Sequence, residues 1–220
     1  MDRLRKQPAW LCLALISAVM GLSVASGCTL MATAMYVIQG ANTPADFTGL
    51  KVKRVAVVCR PVTSLHFRDS SVSRDLAKQV GVLLKKKVGK ITIIDQREVS
   101  EWADENNWDE YVDIAKALDA DMVVGLDLEE FSLHQGQTLY QGKANLKIVV
   151  CDVAKGKDPV YEHNLPQASF PPNGAIPVGE QPEPQFRRIF VDYLARQIAQ
   201  HFYEHDSTAD FASDSTALAN

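Results

Sequence analysis

Two histidines, His201 and His205, stand four apart near the carboxyl end of the chain. On a helix that spacing puts both imidazoles on one face, as in the paired histidines of helical zinc sites. Glu204 and Asp206 lie beside them. A metal centre needs a third convergent ligand, which the linear sequence does not identify, so the pair stands against a solvated helix end. Cys59 and His66 are a nucleophile and a base in one short stretch, although Cys59 ends a Val-rich run of the kind that buries its thiol in a strand. Asp127, Glu129 and Glu130 offer carboxylates to a cation, and equally form the wet face of an alternating strand. Lys85, Lys86, Lys87 and Lys90 form the one basic cluster. It suits anionic lipid headgroups or the last turn of a helix, where cations meet the negative end of the dipole. A dinucleotide-binding GxGxxG after a strand, a Walker loop, a GxSxG elbow and an HExxH pair are all absent. The expectation is therefore no enzyme, no catalytic residue and no cofactor, with His201 and His205 as the weak metal candidates.

The chain has four cysteines, Cys12, Cys28, Cys59 and Cys151, too few and too scattered for a disulfide-stapled miniature fold or a CxxC zinc site. Cys59 and Cys151 both fall in expected strands. They pair if those strands are neighbours of suitable geometry, and otherwise they are two buried thiols.

Cys28 differs from the others because of what precedes it. Arg3, Arg5 and Lys6 give a cationic start, and from Ala9 to Val24 no charge interrupts a run of Leu, Ile, Ala, Val and Met, the two parts of an export signal. The run ends in Val24-Ala25-Ser26-Gly27-Cys28, which resembles the lipobox of bacterial lipoproteins, with Ala25 where that family favours Leu. The resemblance implies cleavage before Cys28 and lipid attachment to its thiol. Multiple acyl chains there would anchor the protein to a membrane far more firmly than one. Uncharged sequence nevertheless continues from Ala9 to Ile38, about 30 residues against the roughly 20 that a spanning helix needs. An uncleaved anchor therefore stays open beside the cleaved lipoprotein. Both place the following domain outside the cytoplasm, in the cell envelope facing the periplasm. The formal charge is −4. Removal of residues 1–27 takes away a net +2 and leaves a mildly acidic protein, which argues against nucleic-acid binding through phosphate neutralisation.

The elements that must position these groups follow from periodicity. Residues 28–50, with Asn42, Pro44 and Gly49, read as a tether. Lys53 to Cys59 is a buried first strand. Val72, Leu76, Val80, Leu83 and Leu84 recur at helical spacing, with Ser70 and Ser71 as candidate caps. Ile91 to Ile94 is a short second strand. Asp95 caps an interrupted helical region that reaches Leu118. Asp121 to Leu128 opens a third strand, Gln135-Gly136-Gln137 is a hairpin turn, and Tyr140 to Val153 returns with Ala144, Leu146, Ile148 and Val150 on one face against Lys143, Asn145 and Lys147. Residues 164–184 carry six prolines from Pro166 to Pro184 and predict an irregular loop. Phe186, Ile189, Phe190, Tyr193, Leu194, Ile198 and Phe202 predict an amphipathic helix over residues 185–204. Residues 206–220 read as a disordered tail. The fold class is α/β, a mixed sheet of about five strands with two to three packed helices in the order β-α-β-α-β-β-β-α, making one domain over residues 51–205 preceded by a signal or anchor helix.

The segments Leu118-Asp119-Ala120-Asp121-Met122-Val123-Val124-Gly125, Tyr140 to Leu146 and Val150-Cys151-Asp152-Val153-Ala154-Lys155-Gly156 resemble a group of envelope domains. The group comprises the amino-terminal domain of TolB, the CsgG-like secretion lipoproteins and the lipoprotein activators of penicillin-binding proteins. The resemblance covers roughly Val52 to Glu162 and implies fold and compartment, without catalytic residues. It implies a membrane-tethered, non-enzymatic lipoprotein that binds or scaffolds in cell-envelope assembly or transport, with the membrane and an envelope protein as partners and no nucleic acid. The alternative is a small-ligand or metal-binding periplasmic protein.

Overall fold

Strand β1, Arg54–Pro61, buries Val55, Ala56 and Val57, so both of its faces are covered, as its continuous apolar sequence requires. The computed structural model describes residues 42–62 and 70–206. The expected export segment, Cys28, most of the expected tether, His66 and the expected tail beyond Asp206 lie outside the described residues. Those from Thr43 onward belong to one unit. After β1 come helix α1, Ser70–Lys87, strand β2, Thr92–Ile93, and helices α2, Gln96–Glu105, and α3, Tyr111–Ala117. Strands β3, Met122–Gln135, β4, Leu139–Asp152, and β5, Pro159–Phe170, follow, then a two-residue strand β6, Ile176–Pro177, and helix α4, Glu183–Gln200. The α/β class with a mixed sheet is as expected. The region after Asp95 forms two helices, making four in all among the described residues.

The sheet order is β2-β1-β3-β4-β5, with β6 on β4 beyond the end of β5. β1 runs parallel to β2 and β3, with Val57 opposite Val124, while β3, β4 and β5 form an antiparallel run. The β3–β4 hairpin turns through Gly136 at φ 70°, a left-handed conformation that glycine adopts without steric penalty. The alternation seen in the sequence of β4 decides the faces. Tyr140, Ala144, Leu146, Ile148 and Val150 join one core with α1 and α4, and Val149 and Cys151 join another with α2 and α3. Helix α1 contributes Val72, Leu76, Ala77, Val80 and Leu84 to the first core. Helix α2 is capped by Asp95, whose carboxylate accepts the Arg97 N–H at 2.8 Å, satisfying one of the donors left open at a helix start.

Three expectations are corrected and one open alternative is resolved. The tether does not reach residue 50, because Leu50 is fully buried and Phe47 packs against the same core. The proline-rich loop does not begin at 164, because β5 continues to Phe170. Pro159 and Pro166 are accommodated because β5 is an edge strand, where a missing N–H need not break a ladder. The last helix spans Glu183–Gln200, starting two residues earlier and ending four earlier than the expected 185–204, with Pro184 in its first turn, where a missing N–H costs nothing. Cys59 and Cys151 are free. They face the two opposite cores and are offset by three register positions along the strands, about 10 Å at 3.3 Å per residue, beyond what a disulfide spans. No helix among the described residues is long and apolar enough to cross a membrane.

Candidate functional site

The motifs that carry the envelope resemblance are structural devices. Asp119 takes φ 52° after α3, and the Asp121 carboxylate accepts the Arg54 N–H at 2.7 Å while the Asp121 N–H donates to the Arg54 carbonyl at 2.8 Å. The "Ala-Asp" pair thus pins the start of β3 to the start of β1. Asp152 accepts the Ala154 N–H at 2.9 Å, which closes the turn between β4 and β5.

Chemically active groups gather in two places. The first is at the carboxyl ends of the parallel strands β1 and β3. The Asp127 carboxylate accepts the Tyr111 hydroxyl at 2.6 Å and the Arg60 guanidinium at 2.9 and 3.1 Å. Arg60 also donates to the Asp109 carbonyl at 3.0 Å and lies over the rings of Tyr111 and Trp108. Burial, then the Asp127 charge, raises the Tyr111 hydroxyl far above its ordinary range, so it stays a donor. The ring of Tyr111 fills the space over Gly125, where a Cβ would lie 2.5 Å from it. Three donors thus converge on one oxygen of Asp127, Oδ1. Glu130 is taken by the Asn145 amide at 3.0 Å, so the three carboxylates noted in the sequence do not converge on a cation.

The second cluster lies where the chain before Leu50 crosses the end of α4. His201 follows the last turn of α4, and its carbonyl accepts the Phe47 N–H at 2.9 Å. Phe47 is held between Tyr161 and Phe202. That contact brings the Asp46 carboxylate to 2.6 Å from His201 Nδ1. The Tyr161 hydroxyl approaches the same nitrogen at 3.2 Å. His163, two residues along β5 and opposite Ile148 on β4, sets its ring 4.2 Å from that of His201, tilted by 42°. One donor atom each from Asp46, His163 and His201 lies within 4.8 Å of the others. Burial, opposed by the Asp46 hydrogen bond, holds His201 below the ordinary imidazole range. Burial and the nearby Asp46 charge push Tyr161 up to about 12. His163 and His201 open onto a cleft of about 390 Å³ that Ser169, Tyr193 and Gln197 also line.

The sequence had singled out His201, but with the wrong partner. The His205 ring faces the Tyr203 carbonyl at 3.3 Å and is not one of the three convergent ligands, because α4 ends at Gln200 and the i, i+4 helical face does not extend to residue 205. Asp46 and His163 were missed. The Cys59 thiol, pushed up to about 12 by burial, sits on the face of α1 and α4, while His66 is outside the described residues.

No family model matches the chain, and no curated protein matches it significantly. Solved structures of bacterial lipoproteins are among those it is similar to. The PelC dodecamer from Paraburkholderia phytofirmans is similar over 74% of this chain and 96% of its own, at 11% identity and a TM-score of 0.46. Lipoprotein GNA1162 from Neisseria meningitidis is similar over 66% and 97%, at 12% identity and 0.43. A minor lipoprotein from Acinetobacter baumannii is similar over 70% and 92%, at 15% identity and 0.35. These likenesses concern the course of the chain and assign no residue.

Proposed function

We propose that the chain is a membrane-tethered lipoprotein of the cell envelope, lipidated at Cys28, whose α/β domain binds or scaffolds other envelope components without catalysing a reaction. The tether rests on the cationic start, apolar run and small residues ahead of Cys28. The binding role rests on one observation: Arg60, Tyr111 and Asp127 are engaged with one another, and the Cys59 thiol is held protonated. Such groups tie strands β1 and β3 to helix α3 and leave no freed nucleophile beside a base, as nucleophilic catalysis needs. The resemblance to the TolB, CsgG and activator-lipoprotein group points to a role in envelope assembly or transport.

Replacing Cys28 with Ser is expected to abolish labelling by a palmitate analogue, block processing and release the protein from membranes. Unchanged labelling and mobility would overturn the lipoprotein reading in favour of a spanning anchor. A second reading, a ligand-binding or metal-binding protein, is favoured by the convergence of Asp46, His163 and His201 beside an open cleft.

A further inference from the structure

We propose that Asp46, His163 and His201 form a site for one divalent transition-metal ion of the zinc class, with a remaining coordination position open to the cleft. The site is independent of lipidation at Cys28 and stands or falls without it.

The donor set is two imidazoles and one carboxylate, the combination that three-ligand zinc sites use when they keep a position for water or an exogenous ligand. Oxygen-only cations such as Ca²⁺ and Mg²⁺ are excluded by the imidazoles. Tetrahedral coordination with bonds of about 2.0–2.1 Å sets donors roughly 3.3 Å apart. The three atoms here lie within 4.8 Å of one another, and the Asp46–His201 pair is at 2.6 Å. The ion would take the place of the Asp46–His201 hydrogen bond, releasing its proton to solvent, and push that pair apart by about 0.7 Å, while His163 moves inward. Both shifts are small against the freedom of the groups involved: Asp46 is half-exposed, and His163 sits on the edge strand.

The backbone around the donors is fixed, which distinguishes a built site from a chance meeting of surface side chains. The Phe47 N–H bonds the His201 carbonyl, so the chain ahead of Leu50 cannot leave α4 without losing both a hydrogen bond and the Phe47 packing against Tyr161 and Phe202. His163 is held opposite Ile148 by the ladder between β5 and β4. The Tyr161 hydroxyl stands by the same corner and hydrogen-bonds the Asp46 carboxylate, so with the ion on His201 Nδ1 it would hold Asp46 as an outer partner, as ligating carboxylates are held at metal centres. The cleft, lined by both histidines, gives the fourth position access to solvent or to a small anionic ligand.

A plain alternative is a hydrogen-bonded Asp46–His201 pair with His163 merely packed on it. The two accounts separate in a titration of the purified full-length chain, stripped with chelator, with Zn²⁺ in competition with a chromophoric chelator and with Co²⁺ followed by its visible absorption. The expected result is one equivalent bound. His163→Ala and Asp46→Ala should each weaken binding by more than about 100-fold, beyond the 10–100-fold that loss of an outer partner costs, while His205→Ala changes nothing. His163→Gln and Asp46→Asn, whose sizes are nearly native, should bind as weakly as the alanine variants while melting like the parent. Tyr161→Phe should cost no more than an outer partner does. Absence of stoichiometric binding, or binding that survives loss of His163 and Asp46 or follows His205, would overturn the site. Cys28→Ser should bind Zn²⁺ as the parent does, so a failure of the metal site and a failure of the lipid anchor are read separately.

Discussion

Asp127 shows how one carboxylate organises a corner of the domain. Its side chain is only 15% exposed and accepts from both Arg60 and Tyr111. A buried anion is tolerated only when paired and hydrogen-bonded. Tyr111→Phe keeps the ring over Gly125 and removes only the hydroxyl. Hydrogen bonds to charged groups contribute about 1.5–3 kcal/mol, so this variant should lose about that much stability in urea unfolding, with an unchanged m-value. A loss below about 0.5 kcal/mol, the scale of a neutral surface substitution, would mean that Arg60 alone satisfies Asp127. Very little of this was legible in the sequence. Asp127 lies on an alternating strand and reads as wet, and the helical region that reaches Leu118 gives no sign of Tyr111. The same limit hid Asp46 and His163. Asp46 and His201 are 155 residues apart, and nothing periodic links a residue ahead of the first strand, an edge-strand residue and the end of the last helix.

At the scale of elements the sequence was more informative, because burial imposes a period. The stripe of α4 was visible, and the structure buries Phe186, Phe190, Val191, Leu194, Ala195, Ile198 and Ala199. At about 1.5–3 kcal/mol for each large side chain, the helix contributes on the order of 10 kcal/mol, comparable to the whole net stability of a typical domain, about 5–15 kcal/mol. A chain ending at Pro184 should therefore lack a cooperative melt and be cleaved rapidly by protease. A monomeric truncated chain with the parent's melting temperature would show that α4 adheres without supporting the core. The prolines misled the reading of β5. Pro166 forbids a central strand, but the rule against proline relaxes at an edge, and strand order is a property of the sheet that a local window cannot contain. Gly136, by contrast, was readable because the hairpin turn makes a local backbone demand.

Seen as a whole, the domain places two helices on each face of a mixed sheet, and the alternation of β4 foretold which residues each face would receive. It could not foretell that Cys59 and Cys151 face opposite cores. A shift of one residue in a strand reverses a side chain's face, and the relative parity of two strands is set only by their register. The register has another outcome, in time. Strand β3 pairs with β4 and β4 with β5, each the next strand in the chain, whereas β1 must wait for β3, across the 67 residues that separate Arg54 from Asp121. Closing a long loop carries an entropic cost that local pairing avoids, so the rate-limiting ensemble should contain the antiparallel run with β1 still undocked. Ile148→Val, within the run, should then slow refolding in stopped-flow urea experiments. Val57→Ala, in β1, should leave refolding nearly unchanged and accelerate unfolding; equal slowing of refolding by both would place the docking of β1 before the barrier.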